Sequence, residues 1–323
     1  MEKIVEKIKK DRPNLSASSL KSYERNLRVL YQKMHDTRKV PENIKYLENF
    51  EKVKEFMNDW KLSTKKTYIS SIVVALRAFD AKESLMQKYG EFLTKLGEQY
   101  DNKAKEQKKT EKEEKNWATI NDLYKVLKIF QSKVRRHGIR KKNELDREDK
   151  KTLLSFLILS LYLVDVENHP PRRLEDYASM KIVNKSKKIP NDDDNFLMNY
   201  SRNKKEFVFQ RYKTKSIYKT QTFKVSPKMN SVLNLWLKFN DSEDLIPMSA
   251  NQLSKFLTSL FQKYLGKKIS VNMIRHIYIS DVYKDVPALK KLSDTAGKMG
   301  HNVQTAMKEY VKNDGSEGDE EDE

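Results

Sequence analysis

The sequence predicts a mainly α-helical protein with one small antiparallel sheet, an α+β fold. Apolar residues recur at helical spacing through the first hundred residues, and a long run that is apolar except for two serines occupies residues 153–164. After residue 195 the pattern changes to short runs of β-branched and aromatic residues. The chain has 323 residues, which is enough for two domains.

The first predicted domain covers residues 1–101 and is helical. Residues 18–34 place apolar side chains on one helical face, and Ser16 or Ser18 is positioned to cap this helix. A second amphipathic segment follows Thr64, and its apolar residues also recur at helical spacing. The outer faces of this helical bundle carry basic residues, of which we single out Lys65, Lys66 and Arg77.

A highly charged segment at residues 102–117 separates the two predicted domains. Residues 102–116 include ten charged residues and no large apolar residue. Because such a segment cannot bury a core, we interpret it as a linker or an exposed helix.

The second predicted domain covers residues 118–313. Its apolar run is too short to span a bilayer and is apolar on every face, which is typical of a buried helix. Residues 196–201, 206–212 and 221–226 are predicted to form a three-stranded antiparallel meander, and helices resume at 229–239, 252–265 and 271–283. Residues 314–323 hold seven acidic residues and no basic one, and we expect a disordered tail.

The charge of the chain indicates a nucleic-acid partner. The net charge is +19 despite the acidic tail, and each contact between a cation and a phosphate releases counterions. The chain has no cysteine, no apolar signal segment at its start and no run long enough to cross a membrane. We therefore expect an intracellular protein that acts at DNA.

Most familiar catalytic motifs are missing from the sequence. It has no HExxH, no glycine-rich phosphate loop and no GxSxG, so we expect neither a metal site nor a cofactor. Cleavage of a phosphodiester can proceed without a metal or cofactor. It needs a nucleophile, positive charge to stabilise the phosphorane, and a proton for the leaving oxygen. Tyrosine, arginine and either lysine or histidine supply these three functions.

Residues of these types occur in a specific order along the second domain. The segment PPRRLEDY follows the buried helix and contains Arg173. Lys213 is expected at the end of the second strand, and Arg275 lies in the segment SVNMIRH. Met-Gly-His ends at His301, nine residues before Tyr310.

This order is similar to that of the tyrosine recombinases, the phage-integrase family. Residues 150–312 carry the resemblance, and the PPRRLEDY segment is closest to integrases of eukaryotic viruses and mobile elements. The resemblance implies a catalytic domain preceded by a helical core-binding domain. It also implies cleavage and rejoining of DNA through a 3′-phosphotyrosyl intermediate, in a homotetramer on double-stranded DNA.

The implied catalytic residues are Arg173, Lys213, Asn272, Arg275, His301 and Tyr310. Further DNA contacts are expected from basic residues beside these positions, namely Arg172, Arg211, Lys215 and His276, and from the three basic residues of the first domain.

The match departs from the family pattern at one position and is ambiguous at another. The family has histidine three residues before the second arginine, where this chain has Asn272. Asparagine can donate a hydrogen bond to phosphate but cannot act as an acid or base. The first arginine is Arg172 if Glu175 is the family's acidic residue, and Arg173 if Asp176 is, which is the alignment we adopt.

Two other functions remain open. A type IB topoisomerase or telomere resolvase uses a similar set of residues. A recombinase-derived protein that binds DNA without cleaving it is the alternative from another functional class.

Overall fold

A computed structural model describes residues 1–185, 188–190, 194–298 and 303–305. The chain divides into two compact units. The first unit contains residues 1–108 together with the described residues from 287 onward, and the second contains residues 109–286. The predicted fold class, mainly α with one small sheet, is confirmed.

Helices alone build the regular structure of residues 1–108, apart from one 3-10 turn at Lys45–Leu47. Their bounds are α1 (Glu2–Asp11), α2 (Ala17–Met34), α3 (Phe50–Phe56), α4 (Leu62–Ala78) and α5 (Glu83–Lys105). Helix α4 packs against α1, α2 and α5, and its residues Ile69, Ile72, Val74, Ala75 and Leu76 are buried. Ser16 caps α2 by accepting a hydrogen bond of 3.1 Å from the Ser19 amide.

The segment predicted as a charged linker is largely helical. It contains the end of α5 and the whole of α6 (Glu111–Asn116), which begins with a capping box formed by Thr110 and Glu113. The Asn116 side chain accepts a hydrogen bond of 2.7 Å from the Lys268 amide, so α6 is attached to the second unit.

The second unit is organised around one buried helix. Its helices are α7 (Ile120–Arg136), α8 (Arg147–Leu163), α9 (Leu174–Ala178), α10 (Lys215–Tyr218), α11 (Pro227–Leu237), α12 (Ala250–Leu265) and α13 (Val271–Val282), with a 3-10 turn at Ile139–Lys141. Every residue of α8 from Ser155 to Leu163 is buried, which confirms the interpretation of the apolar run as an internal helix.

The sheet has one more strand than the sequence indicated. Its order is β1 (Met180–Asn184), β2 (Asn195–Asn199), β3 (Lys205–Phe209) and β4 (Gln221–Lys224). Strands β2, β3 and β4 form the predicted antiparallel meander. Strand β1 was missed, and because it pairs with β2 in parallel, the sheet is mixed rather than antiparallel.

Strand β3 ends three residues earlier than predicted, and a single side chain explains the difference. The amides of Gln210 and Arg211 donate hydrogen bonds of 2.9 and 2.8 Å to Oδ1 of Asn195. These amides are therefore not available to a neighbouring strand, and the ladder stops at Phe209.

The last described segment comprises α14 (Leu289–Lys298) and α15 (Val303–Thr305). The sequence prediction assigned these residues to the catalytic domain, whereas they group with residues 1–108 in the structure. The predicted acidic tail lies outside the described residues. Within the described part of the chain, no helix is long and apolar enough to cross a membrane.

Candidate functional site

A cleft of about 320 Å³ lies in the second unit, where the segment between α8 and α9 meets the sheet and α13. Two consecutive prolines, Pro170 and Pro171, hold the end of this segment extended. Helix α13 fixes the segment at two points. Nε of Arg275 donates to the carbonyl of Pro171 over 3.2 Å, and the Tyr278 hydroxyl donates to the carbonyl of Val166 over 2.9 Å.

Arg173 and Arg275, which are about a hundred residues apart in the sequence, line this one cleft. Arg173 is the N-cap residue of α9, but its side chain makes no capping hydrogen bond. Among the described residues, the guanidinium of Arg173 has no hydrogen-bond or ion-pair partner. Burial lowers the pKa of Arg275, and the nearby charge of Arg173 lowers it further.

Arg172 lines the same cleft but is held by internal contacts. Its Nε donates to Oδ2 of Asp176 over 2.9 Å, and its Nη1 donates to Oε1 of Gln221 over 3.0 Å. The guanidinium stacks 3.8 Å from the ring centre of Phe209 and also lies near Tyr212. The Arg172 side chain is 17% exposed, so the residue predicted to contact DNA is mostly enclosed by its own unit.

Asp176 is the only carboxylate among the described residues that line the cleft, and it is almost completely buried. Burial raises its pKa, and this effect exceeds the opposing effect of the Arg172 charge. Three arginines therefore line the cleft beside one carboxylate, and that carboxylate is bonded to Arg172. Asp176 also attracts the charges of Arg173 and Arg275, but one carboxylate cannot offset three guanidinium groups. The described lining therefore has a net positive charge, and the cleft can attract and bind an anion such as a phosphodiester.

Two other predicted catalytic residues, Lys213 and Asn272, are not among the described residues that line this cleft. Lys213 is exposed and lies in the turn between β3 and α10, not at the end of a strand as predicted. Its neighbours Tyr212 and Thr214 line the cleft. Asn272 is exposed in the first turn of α13, three residues before Arg275 and therefore on a neighbouring part of the helix surface.

The remaining predicted DNA contacts of the second unit lie on its surface. Arg211 is exposed and forms an ion pair with Asp194 over 3.4 Å. His276 is exposed and lies 3.2 Å from a carboxylate oxygen of Glu113. Lys215 is half-buried at the start of α10.

The three predicted contacts of the first unit are already engaged in internal interactions. Lys65 donates a hydrogen bond to a backbone carbonyl, and the ammonium of Lys66 lies 4.9 Å from the ring centre of Tyr100. Arg77 is exposed and pairs with Asp11 over 3.5 Å. Such pairs contribute little to stability when exposed, and water or DNA can replace them at small cost.

Two residues of the predicted catalytic set, His301 and Tyr310, lie outside the described residues. The geometry of the cleft therefore bears only on the residues that would hold the phosphate. In the described ranges, no group of three or more histidine, aspartate or glutamate side chains is arranged to hold a metal ion.

Sequence reasoning missed two polar residues that build the cleft. Asn195 is completely buried, and its amide donates 2.9 Å hydrogen bonds to the carbonyls of Asp176 and Arg211. Together with the two hydrogen bonds that Oδ1 of Asn195 accepts, these bonds connect α9 to the end of β3. Gln221 binds Arg172 from β4. A lone asparagine before the apolar run Phe-Leu-Met was the only signal for Asn195 in the sequence.

No known family model matches this chain, and no curated protein matches it either.

Proposed function

We propose that this protein is a tyrosine recombinase that cleaves and rejoins double-stranded DNA through Tyr310. The observation that supports the proposal best is the meeting of Arg173 and Arg275 in one cleft, without a carboxylate that neutralises both. The resemblance to the phage-integrase family singled out these two residues from the order of motifs alone.

In the proposed reaction, the Tyr310 hydroxyl attacks the phosphorus of a DNA phosphodiester. The bond from phosphorus to the 5′ oxygen breaks, a 3′-phosphotyrosyl bond forms, and the leaving 5′ oxygen receives a proton. Arg173 and Arg275 stabilise the additional negative charge of the phosphorane, because their guanidinium groups match two phosphate oxygens and stay charged. Attack by a 5′ hydroxyl on the phosphotyrosyl bond then rejoins the strand and releases Tyr310.

Lys213 is the proposed donor of the proton to the leaving 5′ oxygen. In the structure its flanking residues face the cleft while Lys213 itself is exposed. The proposal therefore requires that the turn at residues 212–214 rearranges when DNA binds. Asn272 and His301 complete the set as hydrogen-bonding partners of the phosphate, and recombination between two DNA sites would be carried out by a homotetramer.

The decisive experiment is capture of the covalent intermediate. The full chain is incubated with labelled duplexes of randomised sequence that carry a nick, so that the short cleaved fragment diffuses away and the adduct accumulates. Denaturing electrophoresis should show protein that carries labelled DNA. Tyr310→Phe should abolish this band while DNA binding is retained, because only the hydroxyl is removed.

Tyr100→Phe is the matched control, because Tyr100 is exposed and lies in the first unit, far along the sequence from the predicted catalytic residues. It should form the adduct as the wild type does. DNA binding without any adduct would support a recombinase-derived binding protein instead. Adduct formation by Tyr310→Phe would assign the nucleophile to another tyrosine. Exchange of strands between two labelled duplexes then separates a recombinase from a topoisomerase, which only relaxes supercoils.

A further inference from the structure

A second, larger cleft of about 690 Å³ lies in the second unit. It shares no lining residue with the cleft of Arg173 and Arg275. Three cations from separate elements line it: Arg140 from the 3-10 turn after α7, Arg202 from the turn between β2 and β3, and Lys238 after α11. Among the described residues that line it, none is aspartate or glutamate.

The turn that carries Arg202 is fixed by a buried lysine. Lys205 is 3% exposed, and its Nζ donates to the carbonyls of Ser201 and Arg202 over 3.2 and 3.0 Å. The same Nζ also donates to Oδ1 of Asn230 over 2.9 Å and of Asn234 over 2.6 Å. All four acceptors are neutral oxygens.

The carbonyl of Arg202 is the centre of this arrangement. Besides the bond from Lys205, it accepts hydrogen bonds from the side-chain amides of Asn230 and Asn234 over 3.0 and 2.9 Å. Because both asparagines belong to α11, the turn is attached firmly to that helix. The backbone of Arg202 is therefore held at one place on the wall of the cleft, which limits the positions its side chain can reach.

The charge of this arrangement is uncompensated. Burial lowers the pKa of Lys205, and no carboxylate in the described part of the chain bonds to its ammonium group. Buried ammonium groups normally have an anionic partner, so the positive potential of Lys205 extends into the neighbouring cleft. Arg140 donates one hydrogen bond of 3.2 Å to Ser231, and Lys238 donates one of 2.5 Å to the Lys142 carbonyl. Both cations retain further N–H groups for a ligand.

We propose that this second cleft binds a phosphate group of the nucleic-acid backbone, at a site separate from the cleavage site. Phosphate is the ligand chemistry that fits three convergent cations, asparagine amides and no carboxylate. The cleft volume is within the usual range of ligand pockets. The choice of nucleic acid as the source of the phosphate rests on the proposed function, whereas the affinity for phosphate does not.

The test compares two variants that lose the same charge. Arg202→Gln with Lys238→Gln removes two cations of the cleft but leaves Lys205 in place. Lys150→Gln with Lys255→Gln removes two exposed lysines elsewhere in the second unit. Affinity of the full chain for duplex DNA is measured by fluorescence anisotropy over a series of salt concentrations. The cleft variant should lower the slope of log K against log salt by about 1 for each phosphate that is no longer bound. The control should stay closer to the wild-type slope.

Thermal unfolding of each variant shows whether it folds, and Arg140→Gln alone gives a milder change at the same cleft. Equal slopes for the cleft variants and the control would overturn the proposal. A second measurement uses inorganic phosphate, which should raise the unfolding temperature of the wild type more than that of the cleft variant. If phosphate has this effect but the cleft variant keeps the wild-type salt dependence of DNA binding, the cleft binds phosphate but not the phosphate of nucleic acid, and the proposal is refuted on that point.

The proposed strand cleavage is tested separately. Failure to form the Tyr310 adduct would leave the salt dependence, and hence the second cleft, unaffected.

Discussion

Arg172 and Arg173 are adjacent in sequence, but the structure predicts opposite consequences when each is replaced. Arg172→Met removes the partner of Asp176, a carboxylate that is 2% exposed. Loss of one member of a buried ion pair costs about 3 to 5 kcal/mol of folding free energy, because the other charge stays buried without compensation. Arg173→Met breaks no hydrogen bond among the described residues, so we expect a cost of about 0.5 kcal/mol or less.

The assay is urea unfolding of the full chain, followed by tryptophan fluorescence, since Trp236 is buried in the second unit. With a slope of about 2 to 3 kcal/mol per molar urea, a loss of about 4 kcal/mol moves the midpoint by about 1.3 to 2 M. Arg173→Met should leave the midpoint nearly unchanged while DNA cleavage is abolished.

The pH dependence provides an independent check. Burial raises the pKa of Asp176 in the folded protein, and loss of the Arg172 charge should raise it further. A carboxyl group with a raised folded pKa favours folding at low pH and disfavours it as the pH rises through that pKa. The loss of folding free energy caused by Arg172→Met should therefore be smaller at about pH 5 than at about pH 8.

The double variant Arg172→Met with Asp176→Asn should regain part of the stability, because no charge remains buried. Equal midpoints for Arg172→Met and Arg173→Met, or a cost that grows as the pH falls, would refute this account of the two arginines.

Two further predictions concern other side chains of the second unit. Lys213→Ala should cleave ordinary DNA poorly but cleave DNA with a 5′-bridging sulfur nearly as well as the wild type, because a thiolate leaves without a proton; equal losses on both substrates in a gel assay would assign Lys213 to binding or structure. Asp149 is 1% exposed and bonded to Lys142 and His137, and the hydrogen bond from Lys142 lowers its pKa. Asp149→Asn should cost about 1.5 to 3 kcal/mol at neutral pH in urea unfolding. This difference in free energy of unfolding should shrink as the pH falls below about 4, because a carboxylate with a lowered pKa in the folded state stabilises the protein only while it is ionised. A difference that does not change with pH would contradict the assignment.

The sequence predicted those elements whose signals are local. Helix α8 was recognised because its residues are apolar on every face, and the end of α2 nearest Ser16 was recognised from its capping residue. Strand β1 was missed because its five residues follow α9 with little interruption, and their pairing depends on a strand that begins only after ten intervening residues. Such pairing is set by tertiary contacts rather than by local preference.

The end of β3 shows the same limit at a single residue. Gln210, Arg211 and Tyr212 continue the pattern of a strand, and nothing local indicates where it stops. The side chain of Asn195 takes the two amides that would have continued the ladder, and its amide group also binds α9. A residue that ends one element and supports another has no periodic signature, so only the three-dimensional structure identifies its role.

The candidate site could be predicted as a set of residues but not as an arrangement of charge. Both alignments of the first arginine were consistent with the sequence, because an acidic residue follows each arginine at the same spacing. The structure separates them: Asp176 is buried and bonded to Arg172, whereas Glu175 is exposed. Asp176 thus bonds directly to the arginine that is stacked on aromatic rings, whereas it acts on the Arg173 side chain only through its charge and leaves that guanidinium available to a ligand. A carboxylate placed between Arg173 and Arg275 would have cancelled the attraction for phosphate, so the position of this one acidic residue determines whether the cleft can bind an anion.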